Sequence, residues 1–237
     1  MTPPITALGS RYGIQGALGR SVKRAAAGGS WWDLNGTITS CVVAYQPKGS
    51  ASYAASLENL ANSGTYTTKV DGYDDPTWNA TDGWIFNGVD QKIIMGISGG
   101  LSMIIRFSGA TSSAYYYSIA GTRSSASSGT VSLNPNYNGS QVACNLRITF
   151  GTTGVAHFES GVIAGTIEDG VGCKGYKNGT KIYENDVTTG GYVGGHIGGT
   201  DGYGDLKRVC NIQAFAAYSA TLTPTQIGNL TTAMAAL

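Results

Sequence analysis

Tyr176-Lys177-Asn178-Gly179-Thr180-Lys181-Ile182-Tyr183 is the stretch from which the fold can be read. Asn-Gly sits between two short runs that mix apolar and charged residues. A two-residue hairpin requires positive φ at both central positions, and Asn followed by Gly meets that demand at least cost. Three further Asn-Gly pairs, at 35–36, 87–88 and 138–139, punctuate the chain. Between such turn signals lie short runs rich in Val, Ile, Thr, Tyr and Phe. They are residues 37–45, 84–86, 92–97, 102–108, 114–119, 142–150, 155–159, 172–177, 181–187 and 209–218. Many short strands with frequent turns point to an all-β antiparallel sandwich or barrel, and the alternation within the last run favours two packed sheets.

The last run carries its own pattern. Cys210, Ile212, Ala214, Ala216 and Tyr218 alternate with Asn211 and Gln213, so strand geometry assigns the first set to one buried face. One helix follows. Thr223-Pro224-Thr225-Gln226 combines an N-cap hydroxyl, Pro at the first helical position and Gln at the third, which is a capping box. Ile227, Leu230, Met234 and Leu237 then recur at helical spacing and read as core packing. A second short helix is expected at residues 53–61.

Composition narrows the class. The 237 residues include 36 Gly and 6 Pro, and 12% are charged. That is about twice the usual glycine and half the usual charge. No collagen-like period is present, and 41% hydrophobic content excludes disorder over most of the length. Net charge is +1, which supplies no global field for nucleic acid. The uncharged run from Ile93 to Ile105 is shorter than the ~20 residues of a membrane helix and contains Gly99-Gly100. Arg11, Arg20, Lys23 and Arg24 interrupt the N-terminus, so no secretory signal is read there.

The charge is unevenly placed. Residues 1–30 carry those four bases and no acid, a local +4, whereas residues 31–237 carry −3. Residues 1–30 therefore read as a basic Gly/Ala-rich arm, with the four bases as docking groups for a partner, and residues 31–237 as one domain. An outward-facing composition without an export signal suggests a protein made in the host cytoplasm and released by assembly and lysis, as phage virion proteins are. Cys41, Cys144, Cys173 and Cys210 are too scattered for a zinc site, and as four cysteines they allow three disulfide pairings. Buried free thiols are the default in a reducing compartment.

Three stretches resemble LamG-like, concanavalin A-like lectin/glucanase jelly-roll domains, particularly those of phage proteins. Ala44-Tyr45-Gln46-Pro47-Lys48-Gly49 and Asn59 to Tyr66 are similar to the domain's opening. Gly83-Trp84-Ile85-Phe86-Asn87-Gly88, with Gln91 to Ile97, is similar to its next strand pair. Ile212 to Tyr218, with Leu222-Thr223, Gln226-Ile227 and Met234 to Leu237, is similar to its closing strand and helix. The resemblance implies a concanavalin A-like jelly roll with adjacent first and last strands, and glycan binding, adhesion or purely structural use. It also implies that Cys41 and Cys210 can approach closely enough for a disulfide.

Chemistry can be tested against the residues. Related glucanases space three acids along one strand, and hydrolysis needs a carboxyl pair at defined separation. Glu184-Asn185-Asp186 supplies the first half of such a pattern, but Val187, Thr188 and Thr189 follow where a second Glu is required. His157 and His196 are the only histidines; no Gly-x-Ser-x-Gly elbow or phosphate-loop pattern accompanies them. His196 lies in a glycine-rich stretch that reads as a turn or strand edge. Enzymatic activity is not expected, and no cofactor is required.

Two loop clusters offer oxygen ligands for Ca²⁺: Asp71, Asp74 and Asp75, and Asp201 with Asp205. Tyr73, Trp78, Tyr115, Tyr117 and Tyr203 are the aromatic candidates for stacking on a saccharide, while Trp84 reads as core. The expectation is a non-catalytic phage virion structural protein: a surface capsid decoration or tail-associated component, multicopy or homo-oligomeric, with weak glycan contact. A dedicated lectin-like adhesin for host polysaccharide is the alternative; a glucanase-like hydrolase is the third reading. No specific nucleic acid or membrane partner is expected.

Overall fold

The computed structural model describes residues 30–110, 118–123, 130–137, 141–146, 152–156, 158–168, 172–185, 193–199, 201–202 and 209–237. Two sheets are stacked. Among the described residues sheet I has eight strands: β1 (Cys41–Tyr45), β2 (Thr77–Asn79), β3 (Gly83–Asn87), β5 (Ser102–Ser108), β10 (Gly161–Glu168), β11 (Gly172–Lys177), β12 (Thr180–Asn185) and β15 (Val209–Tyr218). Its order is β12-β11-β10-β5-β15-β3-β2, with β1 beside β15. Sheet II has seven: β4 (Ile93–Gly100), β6 (Ala120–Arg123), β7 (Thr130–Tyr137), β8 (Gln141–Leu146), β9 (Thr152–Ala156), β13 (Val193–Ile197) and β14 (Asp201–Gly202). Its order is β4-β13-β6-β7-β8-β9, and β14 runs parallel to β6. The first and last strands do pair, as the jelly-roll resemblance implies.

The β11–β12 hairpin forms on Asn178 (φ 48) and Gly179 (φ 81). The Asn178 side-chain carbonyl accepts from the Val162 amide at 2.8 Å, tying the turn to β10. Asn35-Gly36 and Asn87-Gly88 do not close two-residue hairpins. Asn87 ends β3 in sheet I, and the chain next enters β4 in sheet II. The pair at 138–139 lies outside the described residues.

β15 organises sheet I, and its pattern differs from simple alternation. A bulge at Gln213 shifts the register against β5, between Ile212↔Phe107 and Ala214↔Arg106. An inserted residue reverses the side-chain parity beyond it. Cys210 and Ile212 face the core between the sheets, but past the bulge Phe215 and Ala217 take that role. Ala214, Ala216 and Tyr218 turn to the opposite face. The same bulge divides one edge of β15: residues 209–212 pair with β3 and residues 215–218 with β1.

Two apolar layers result. Between the sheets, Trp84, Phe86, Met95, Ile105, Ile197 and Phe215 are fully buried. Each such side chain contributes roughly 1.5–3 kcal/mol of burial free energy. Trp84 also donates its indole N–H to the Ser56 hydroxyl at 2.7 Å, so burial leaves that group satisfied. Behind sheet I, helix α2 (Pro224–Ala235) lays Ile227, Leu230 and Met234 over Ile104, Tyr176 and Ala216. Its capping box forms as the sequence indicates, on Thr223 and Gln226. Residues 31–38 form a strap over the same face: Trp31 and Ile38 are buried, and the Tyr218 hydroxyl donates to the Trp32 carbonyl at 2.8 Å.

Several elements differ from expectation. The helix expected at 53–61 is one turn, α1 (Tyr53–Ser56), begun by a Ser52 cap. The strand expected from residue 37 starts at Cys41, because 31–37 is turn. β7, β10 and β13 occupy segments that lack a clear strand signal, and β10 is internal to sheet I.

Candidate functional site

Those residues singled out from sequence that the structure describes do not converge on one site. Tyr73 is half-buried, and the Lys92 ammonium stands 4.6 Å from the centre of its ring, so a cation covers one face. Trp78 is also half-buried; it packs on the inter-sheet core and donates its indole N–H to the Pro47 carbonyl at 2.9 Å. Asp71, Asp74 and Asp75 do not gather into a metal-binding group, and among the described residues no three His, Cys, Asp or Glu side chains do. Asp75 instead accepts from the Tyr53 hydroxyl at 2.7 Å. The backbone of Asp74 bridges to Gln91, which draws this loop out along the neighbouring chain. Asp201 begins β14, opposite Thr122. Arg11, Arg20, Lys23, Arg24, Tyr115, Tyr117, Tyr203 and Asp205 lie outside the described residues.

The Cys41–Cys210 disulfide is corrected: neither cysteine is disulfide-bonded. β1 does pair with β15, but Cys41 stands opposite Tyr218, whereas Cys210 stands opposite Phe86 of β3. They lie toward opposite ends of β15, some eight residues or about 25 Å apart at strand rise. A disulfide needs Cα atoms within about 7 Å. Burial, followed by the charge of Asp33, pushes the Cys41 thiol up to about 12. Such a thiol stays protonated and unreactive at neutral pH.

Glu184 has an ordinary structural role. Its carboxylate pairs with Lys181, and with Lys174 at 3.6 Å; Lys174 also meets Glu168 at 3.6 Å. The bond from Lys181 is the main reason its carboxyl is held below the usual range. An acid held ionised is poorly suited to donate a proton to a glycosidic oxygen.

His196 sits within β13, paired to Ile94 on one side and Gly121 on the other. One glycine near it, Gly198, has a packing cause. A Cβ on Gly198 would lie 2.3 Å from the Phe86 ring, and φ there is +91. The stretch is thus part of a strand whose far end passes tightly over the core.

The surface that emerges is the outer face of sheet II. Ile93, Met95, Ala120, Leu133 and Ile197 point into the core, which sends their neighbours outward. Across the strands, Ile94 pairs with His196, His196 with Gly121, Gly121 with Ser132, and Ser132 with Asn145. At the β4 edge the row extends to residues 66–68. The Ile94 amide donates to the Thr68 carbonyl at 2.9 Å. Thr67 is buried, which leaves Tyr66 and Thr68 outward; Tyr66 is 61% exposed and Ile94 42%. Toward β7 the face becomes buried and polar. Ser132 and Asn134 are covered, and the Asn134 side-chain carbonyl meets no hydrogen-bond donor among the described residues. An exposed ring and an aliphatic side chain beside the His196 imidazole and the exposed Thr68 hydroxyl suit a ligand with one apolar face and several hydroxyls.

Sequence reasoning missed this surface. The alternation of Ile94 against Ile93 and Met95 was an available signal. Tyr66 lies in an irregular segment, where no period assigns a face.

No protein-family model matches the sequence, and no curated protein does. Solved structures match in fold. Domain 4 of AbnA, a GH43 extracellular arabinanase from Geobacillus stearothermophilus solved with arabinotriose, aligns at TM-score 0.52 and 16% identity, over 81% of this chain and 98% of that one. Trypanosoma rangeli sialidase in complex with sialic acid aligns at TM-score 0.58 and 13% identity, over 81% of this chain but 32% of the sialidase. The chain therefore spans about a third of the sialidase's length. A structure described as the HCR/D W1238A mutant aligns at TM-score 0.53 and 16% identity, over 80% and 51% of the two chains. At these identities the likeness establishes the fold alone, a two-sheet antiparallel β-sandwich.

Proposed function

We propose that this chain is a non-catalytic saccharide-binding β-sandwich, and that the outer face of sheet II is its contact surface. The observation that carries the reading is the asymmetry of the two sheets. Helix α2 and the 31–38 strap cover the back of sheet I. Sheet II instead presents Tyr66 and Ile94 to solvent beside His196. Fold neighbours include a domain solved with arabinotriose, which makes a saccharide the first ligand class to try. The pairing of Glu184 with two lysines favours recognition over hydrolysis.

The setting we propose is the surface of a phage particle, with the basic segment of residues 1–30 docking on neighbouring virion proteins. Many copies on one particle then raise a weak contact to useful avidity. A glycan array probed with the purified chain tests the binding reading. Saturable binding that is lost in Tyr66→Ala supports it; an array with no bound glycan overturns it. Reducing-sugar release from a bound polysaccharide overturns the non-catalytic part. Deleting residues 1–30 tests the setting: incorporation into particles is expected to stop while the domain stays folded. Particles that still carry the truncated chain rule out the arm.

A further inference from the structure

The three described Asn-Gly pairs are chemically alike but sit in very different surroundings. Asn178 is held on both sides: its amide N–H donates to the Val162 carbonyl, and its side-chain carbonyl accepts from the Val162 amide, each at 2.8 Å. Asn87 closes a turn with its own side chain, whose carbonyl accepts from Val89 at 2.8 Å and Asp90 at 3.3 Å, while its amide donates to the Asp90 carboxylate at 2.7 Å. Asn35 is exposed, and its side-chain amide makes no hydrogen bond to a described residue. Its turn is also strained: Leu34, Asn35 and Gly36 all have positive φ, at 50, 60 and 86. Leu rarely adopts the left-handed region.

We infer that Asn35 is a spontaneous deamidation site, selected among the three because its side chain is exposed and bonded to no described residue. The Gly36 amide nitrogen attacks the Asn35 side-chain carbonyl carbon. A new C–N bond closes a succinimide ring. The side-chain nitrogen leaves as ammonia, carrying the proton from the Gly36 N–H. Water then opens the ring at either carbonyl and gives aspartate or isoaspartate. Glycine at the next position puts no side chain in the way of the attack. At Asn178 and Asn87 the hydrogen bonds must break before the side chain can turn to the following nitrogen, so the ring closes slowly.

The position matters for the fold. Trp32, whose carbonyl accepts the Tyr218 hydroxyl, lies just upstream, and Ile38, buried against the back of sheet I, just downstream. Isoaspartate inserts a methylene into the backbone between them, and either product adds a negative charge two residues from Asp33.

The test is peptide mapping by mass spectrometry after incubation at mildly alkaline pH. The full chain is kept native in one arm and in urea in the other. In urea the three sites are expected to convert at similar rates, because each has the same Asn-Gly chemistry. In the native arm, conversion at Asn35 is expected to outpace Asn87 and Asn178 several-fold, with isoaspartate detected by its methyltransferase. Native conversion at Asn87 or Asn178 that equals or exceeds Asn35 overturns the proposal. So does a native Asn35 that stays intact while its urea counterpart converts.

Discussion

Gly198 shows how a single missing side chain fixes the distance between the sheets. Its backbone passes so close to Phe86 that an added Cβ would lie 2.3 Å from the ring, at a φ of +91 that L side chains rarely adopt. Gly83 is similar: a Cβ there would meet the Ile212 carbonyl oxygen at 2.2 Å, which is rigid backbone in the middle of β15. Overpacking of this kind costs about 1–3 kcal/mol, with conformational strain in addition. Gly198→Ala and Gly83→Ala are each expected to lower the urea midpoint, with Gly83→Ala the more damaging because a carbonyl cannot rotate aside. Gly36→Ala meets no atom within 4 Å and isolates the strain alone. Denaturation curves of the three variants check the order. The abundance of glycine is plain in the composition. Which glycines are indispensable is not, because the clash partner is in each case remote in sequence.

At the scale of elements, what could be read from sequence is what local chemistry decides. Asn178-Gly179 closes its hairpin through its own φ preferences, and Thr223 with Gln226 caps α2 through bonds made within four residues. The bounds of β5, β11 and β15 likewise coincide with their apolar runs. β10 was hidden because Gly161, Ala164 and Gly165 dilute its apolar signal, although Val162, Ile163 and Ile167 are buried. β13 was hidden by Gly194 and Gly195, the second at a φ of 90 where the register against β4 shifts. The bulge at Gln213 depends on how β15 meets β5, β3 and β1 together, so strict alternation assigned Ala214, Ala216 and Tyr218 to the wrong layer. The candidate surface followed the same rule. Tyr73 and Trp78 looked accessible in loops, but their partners Lys92 and Pro47 are set by tertiary contact. The cap yields a quantitative expectation. Thr223→Ala removes the acceptor for the Gln226 amide and is expected to cost about 1 kcal/mol. Thr223→Ser keeps the hydroxyl and is expected to stay close to the parent. A loss shared equally by both variants would show that the hydroxyl bond is not the source.

For the molecule as a whole, few charges and many buried hydroxyl and thiol groups shift the weak point of stability to alkaline pH. Among the described residues carboxylate–cation pairing is confined to the Lys174, Lys181, Glu168 and Glu184 group, on the outside of the β10–β12 region. At the strap, by contrast, Cys41 and Tyr218 are both pushed up, chiefly by burial. Tyr53 is pushed up too, by burial and then by its bond to Asp75. The direction of the effect follows from where the proton is held. The folded chain keeps the Cys41 thiol neutral up to about 12, against an ordinary value of 9.0. The unfolded chain releases that proton earlier, so rising pH favours unfolding across the interval between the two values. The stabilisation is therefore complete below about pH 9 and is lost as pH approaches 12, with the tyrosines adding to the fall at its upper end. Urea midpoints are expected to hold steady from neutral pH to near pH 9 and then to decline. Cys41→Ala is expected to flatten the first part of that decline, since it removes the earliest of the three protons and leaves Tyr218 bonded to the Trp32 carbonyl. A variant whose midpoint falls as steeply as the parent's would place the alkaline sensitivity elsewhere than under the strap.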